Sequence, residues 1–143
     1  MKLSIAMCTY NGAAYLSEQL ESLAAQTRTP DELVVCDDNS TDNRTREILK
    51  AFARNAPFRV RLFVNKQNLG SKQSFAQAIR RCHDEIIFLC DQDDVWREDK
   101  PAVIERAFLS NPATGLVFSD PEVGEENLIT LGKAVRAADS LLF

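Results

Sequence analysis

Apolar residues in this chain recur in short blocks, separated by segments in which they fall three or four positions apart. Leu3-Ser4-Ile5-Ala6-Met7-Cys8, closed by the turn formers Asn11-Gly12, predicts a first strand. Leu16, Leu20 and Leu23 then share one face of a helix, with Pro30 as its stop. Leu33-Val34-Val35-Cys36 predicts a buried strand, a polar loop rich in helix-capping residues covers 37–42, and Ile48, Leu49 and Phe52 mark a second helix. Residues 58–64 alternate as a third strand, with Arg59 and Arg61 on its wetter face. After a loop over 65–71, Phe75, Ala78, Ile79 and Cys82 mark a third helix. Ile86-Ile87-Phe88-Leu89-Cys90 is apolar throughout, the pattern of a strand covered on both faces. Val103, Ile104, Ala107 and Phe108 mark a fourth helix with Pro101 in its first turn, and Gly115-Leu116-Val117-Phe118 predicts a fifth strand.

Four strand-to-helix alternations before a fifth strand predict an α/β fold, a mainly parallel open sheet with helices on both faces. Residues 1–120 are expected to form this domain. Residues 121–143 read as a truncated extension of it, helix-like over 134–143 and ending on Leu141-Leu142-Phe143, as in a fragment of a longer protein. Ligands of such sheets bind beyond the carboxyl ends of the strands. The loops at that end, 9–12, 37–42, 65–71 and 91–96, hold nearly all the unusual polar chemistry.

Composition narrows the reading further. A chain of 143 residues with 45% hydrophobic and 27% charged content suits one ordinary core. No apolar run is long enough to span a bilayer and no signal-peptide core is visible, so a cytoplasmic location is expected, at or near the inner face of the membrane. Cys8, Cys36, Cys82 and Cys90 have neither zinc-site spacing nor disulfide density. The cluster Arg44, Arg46, Lys50, Arg54, Arg59 and Arg61 reads as a solvated helix face and an edge strand, not a nucleic-acid surface.

Asp91, Asp93 and Asp94 crowd three carboxylates into four residues after the most apolar strand, a repulsion that a divalent cation would relieve. Oxygen ligands suit Mg²⁺ or Mn²⁺, and a site that uses one or two carboxylates leaves room for substrate phosphates. Glu98 and Asp99 read as helix-capping acids. A calcium EF-hand loop is excluded by Trp96 where glycine would be needed.

Taken in order, Cys8-Thr9-Tyr10-Asn11, Val35-Cys36-Asp37-Asp38-Asn39-Ser40, Asn68-Leu69-Gly70 and Leu89-Cys90-Asp91-Gln92-Asp93-Asp94-Val95-Trp96 resemble the family 2 glycosyltransferases over residues 3 to 120. The Asp-Gln-Asp-Asp-x-Trp form is most similar to bacterial members that build surface polysaccharide, rhamnosyltransferases among them. The resemblance implies the GT-A fold of nucleotide-diphospho-sugar transferases. It implies an inverting transfer from a UDP- or dTDP-sugar to a hydroxyl of a saccharide or lipid-linked acceptor. It places Thr9, Tyr10 and Asn11 at the nucleotide, with Tyr10 against the base, Asp38 on the base edge and Asp37 in support. Asn68 and Gly70 fall near the donor, Asp93 and Asp91 at the metal, Asp91 also at the ribose, and Asp94 at the donor sugar. The Ala-Arg pair common in the family is replaced by Ser74-Phe75, which leaves Lys66 or Lys72 as candidates for pyrophosphate. The general base of such enzymes lies beyond this chain, and Asp120 and Glu122 read as a surface turn around Pro121.

Three competitors remain. A phosphorelay receiver would need acids after strand 1 and a lysine after strand 5, where Thr9-Tyr10 and Ser119 stand. A nucleotidyltransferase would want a basic, glycine-rich first loop. A non-catalytic nucleotide-sugar-binding or assembly module would self-associate through the apolar C-terminus.

Overall fold

The computed structural model describes residues 1–119 and 135–138. The elements run β1 (Leu3–Thr9), α1 (Leu16–Ala24), β2 (Glu32–Asp37), α2 (Arg44–Asn55), β3 (Arg59–Val64), α3 (Ser71–Arg81), β4 (Ile86–Cys90), α4 (Lys100–Ser110), β5 (Leu116–Ser119) and β6 (Val135–Ala138). The chain divides into two compact units, Met1–Pro101 and Ala102–Phe143.

In the first unit four parallel strands lie in the order β3-β2-β1-β4. The order reverses between β1 and β4, which makes the carboxyl end of β1 the switch point of the sheet. Strand alternation sends Leu3, Ile5, Met7, Leu33 and Val35 to one face, and these are buried together with Leu16, Leu20 and Leu23 of α1 and Leu49 of α2. Ala6, Cys8, Val34 and Cys36 face the other way and pack with Ala78 of α3, flanked by Phe63, Phe75 and Cys82. Each fully buried leucine contributes about 2 kcal/mol through the apolar surface it removes from water.

The predicted parallel sheet with helices on both faces is therefore formed, with three differences. First, β4 is not covered on both faces: Ile86, Phe88 and Cys90 are buried while Ile87 and Leu89 are exposed, because α3 packs against β1 and β2 rather than β4. Second, β5 does not extend the parallel sheet. It pairs antiparallel with β6 in a separate two-stranded sheet. Third, the helix expected over 134–143 is not formed at Val135–Ala138, whose backbone supplies the partner that β5 would otherwise lack. The remainder of that segment, Asp120 and Glu122 included, lies outside the described residues. Helix α1 also ends at Ala24, well before Pro30.

The amino end of the sheet carries a polar layer. Glu32, 5% exposed, accepts from Ser4 Oγ at 2.9 Å and from the His83 amide at 3.1 Å, and pairs with Arg61 at 3.2 Å. Burial alone would raise its pKa, but these donors outweigh it and hold the carboxyl below its ordinary value. A depressed carboxyl stabilises the fold above its unfolded pKa and loses that contribution as pH falls through the folded value. Glu32→Ala is expected to cost about 3 kcal/mol at pH 7 in urea denaturation, since it leaves Arg61 facing a partly buried gap. The difference from wild type should shrink below about pH 4.

Candidate functional site

The four loops at the carboxyl end of the sheet are joined by side chains. Asp37 ends β2 and Asp38 follows it, and both are almost fully buried. The Asp37 carboxylate accepts from Thr9 Oγ1 at 3.0 Å, from the Ser40 amide at 3.0 Å and from the Ser40 hydroxyl, and pairs with Arg46 at 3.0 Å. Asp38 accepts from Asn65 Nδ2, the Leu69 amide and the Gly70 amide, each at 2.8 Å. Burial pushes the Asp38 carboxyl up, yet Asn65, Leu69, Ser74 and Gly70 together hold it below the usual carboxylate range. A carboxylate has about four acceptor positions, so most of the capacity of each is used inside the protein.

Loop 65–70 is thus wrapped around Asp38. Asn68 donates to the Asp38 carbonyl at 3.3 Å, and Gly70 begins α3 at φ 82° and ψ 160°, a conformation open in practice only to glycine. A Cβ at Gly70 would meet nothing within 4 Å, so the glycine serves backbone conformation rather than packing.

Asn11, at a left-handed φ of 48°, binds the second loop to the first. Its amide donates to Ser40 Oγ at 2.9 Å, and its Oδ1 accepts from the Thr41 amide at 2.8 Å. Asp42 accepts from the Thr45 amide and hydroxyl in the first turn of α2, which lowers the Asp42 pKa.

The acidic loop after β4 is held from behind. Trp96 is buried, its ring 5.4 Å from that of Phe88, and its amide donates to Ser22 Oγ of α1. The Glu98 carbonyl accepts from Thr27, while Asp99 is engaged by Arg97. Lys100 lies over the Trp96 ring at 4.2 Å, and burial lowers its pKa against the raising effect of Cys90 and Asp94. Asp91, Asp93 and Asp94 stay exposed. Burial, then Asp94, then Asp93 raise the pKa of Asp91.

The expected site residues therefore separate into two layers. Thr9, Asp37 and Asp38 lie beneath the loop surface and brace it. Tyr10, 45% exposed, lies at that surface with Asn11, Asn68, Gly70, Asp91, Asp93 and Asp94. Asn65, Ser40, Gln92 and Arg46 belong to the same network and carried no role in the sequence reading. Arg46, which reads in the sequence as part of a solvated helix face, stands in the first turn of α2 and turns back to Asp37. Among the described residues no group of three or more His, Cys, Asp or Glu is arranged to enclose a metal ion. The donor set fits a cation held by one or two carboxylates and shared with phosphate, not an all-protein cage.

Asp38→Asn puts an N–H₂ group where one acceptor stood. It should cost about 1.5–3 kcal/mol in urea denaturation and speed amide exchange at Leu69 and Gly70. Unchanged exchange at both amides would contradict the bracing role.

The model of glycosyl transferase family 2 matches residues 4–130. An uncharacterised glycosyltransferase of Nostoc sp. is 32% identical over 117 residues, covering 82% of this chain and 36% of the relative. The dTDP-rhamnosyl transferase RfbG of Shigella flexneri is 33% identical over 129 residues, covering 86% of this chain and 41% of the relative. The structure of S. aureus TarS 1-349 in complex with UDP-GlcNAc superposes with a TM-score of 0.70 at 30% identity, covering 82% of this chain and 33% of that one. The chain thus spans between about a third and two fifths of the length of each of these three proteins. The parallel sheet, the switch-point loops, the ordered motifs and these likenesses agree that the chain belongs to the family 2 glycosyltransferases.

Proposed function

We propose that this chain forms the donor site of an inverting glycosyltransferase that moves a sugar from a UDP- or dTDP-sugar to a hydroxyl of a saccharide or lipid-linked acceptor in bacterial surface polysaccharide synthesis. The observation that carries the reading is the exposed carboxylate trio Asp91, Asp93 and Asp94 on a loop tied to the exposed Tyr10 at the switch point. RfbG is named for dTDP-rhamnose chemistry and the TarS structure holds UDP-GlcNAc, which supports a uracil or thymine nucleotide here.

In this reading the Tyr10 ring packs against the base, while Asn11 and Asn68 border the nucleoside. Asp38 holds the amides of Leu69 and Gly70 and so fixes loop 65–71 beside the nucleoside, whose base edge it reads. Asp93 and Asp91 hold a divalent cation, Mn²⁺ or Mg²⁺, together with the donor diphosphate, and Asp94 orients the sugar. When bound, the cation supplies positive charge against the diphosphate leaving group. Lys66, within loop 65–71, and Lys72, at the start of α3, are both exposed and are the candidates to meet phosphate oxygens. An inverting displacement also needs a general base beside the acceptor, and none of the described residues is assigned that role. No helix among the described residues is long and apolar enough to cross a membrane. We place the protein in the cytoplasm, at the inner face of the membrane where lipid-linked acceptors are met.

Calorimetric titration of UDP and dTDP, with and without Mn²⁺, tests the assignment. Mn²⁺ is expected to tighten binding of one of them, and Asp93→Ala to weaken it about tenfold, a loss near 1.4 kcal/mol, and to remove the Mn²⁺ dependence. Affinity that ignores both Mn²⁺ and Asp93→Ala would sink it. Saturating nucleotide and Mn²⁺ at a hundredfold excess over Kd should add about 2.7 kcal/mol to stability, visible as a rise in Tm that Asp93→Ala lacks.

A further inference from the structure

Gln92 lies within the acidic run yet its side chain is spent on the main chain of another loop. Its Oε1 accepts from the Tyr10 amide at 2.9 Å and its Nε2 donates to the Tyr10 carbonyl at 3.2 Å. A primary amide offers an acceptor and a donor side by side, which matches the N–H and C=O of one residue; a carboxylate in its place would lose the donor. The second observation is at Gly12, which is buried under that amide. A Cβ built there would fall 2.2 Å from Gln92 Oε1 and 2.6 Å from Cδ. The positive-φ glycine among the described residues is Gly70, so position 12 needs absence of bulk rather than a left-handed backbone. On its other side Tyr10 is followed by Asn11, already tied to Ser40 and Thr41.

We propose that Gln92 is a positioning residue: its amide sets the Tyr10 loop against the Asp91 and Asp93 carboxylates, and Gly12 is glycine in order to admit it. This role rests on the donor-site reading above, since the two parts it joins are the nucleoside side and the diphosphate side of that site. Two loops held in register before the ligand arrives lose less freedom on binding, which appears as affinity.

A double-mutant cycle with UDP and dTDP in the presence of Mn²⁺ tests the role. The full chain is compared as wild type, Gln92→Ala, Gly12→Ala and the double variant, at a temperature where all are folded. Each single change is expected to weaken binding of the preferred nucleotide about tenfold, and the double variant to be no weaker than either, because Gly12→Ala acts by displacing the same amide. Amide exchange at Tyr10 without ligand should accelerate in all three variants. A purely structural contribution would lower Tm while leaving the affinity of the folded protein unchanged. Should the alanine variant fail to fold, Gln92→Met, of similar length with neither donor nor acceptor, takes its place. Variants that bind as tightly as wild type, or losses that add up in the double variant, overturn the role of Gln92 alone. A wild-type chain that binds neither nucleotide overturns the donor site and this role with it.

Discussion

Two adjacent carboxylates buried at the end of β2 are the constraint on which the rest of the site depends. Asp37 and Asp38 cannot sit beneath a loop surface unless donors converge on them. The donors that satisfy them come from β1, from the loop after β2, from α2 and from the loop after β3. Charge-assisted bonds of this kind are about twice as strong as neutral ones. Removing one partner exposes the full desolvation cost of the charge left behind. The requirement to solvate two charges internally therefore determines where Thr9, Ser40, Leu69 and Gly70 stand, and with them the path of three loops.

Above this braced floor the chemistry is left free. Tyr10 and the carboxylates after β4 are exposed, and burial together with the neighbouring Asp94 and Asp93 raises the pKa of Asp91. The contrast between Asp38 and Asp91 is instructive. Both are carboxylates at strand ends, yet one is lowered by donors supplied from the fold, while the other is raised by burial and then by the like charges of Asp94 and Asp93.

Much of this was legible from residue order. Strands β1, β2 and β4 declare themselves through apolar runs, and the helices through leucine and alanine spacing, because burial imposes those periods. The surface layer of the site was legible too, since Tyr10 and the Asp91–Asp94 run are conspicuous types at strand ends. The network beneath was not. Asn65, Ser40 and Gln92 are ordinary loop residues, and only the registers that set Thr9 beside Asp37, Asp37 beside Val64 and Met7 beside Cys90 bring their partners within reach. The exposure of Leu89 was misread because an apolar run reports what a residue prefers, not whether a helix is present to cover it. The pairing of β5 with β6 was missed for a related reason: a four-residue strand carries no mark of which edge it will join.

The most direct test is a crystal structure of the chain with UDP or dTDP and Mn²⁺. The base should lie against Tyr10 and the anomalous signal of Mn²⁺ at Asp93 and Asp91, with Asp38 still bonded to Leu69 and Gly70 and Gln92 still bonded to Tyr10. A nucleotide bound away from the carboxyl end of β1, or one whose binding breaks those bonds and rebuilds the loops, would contradict a donor site braced in advance by buried carboxylates.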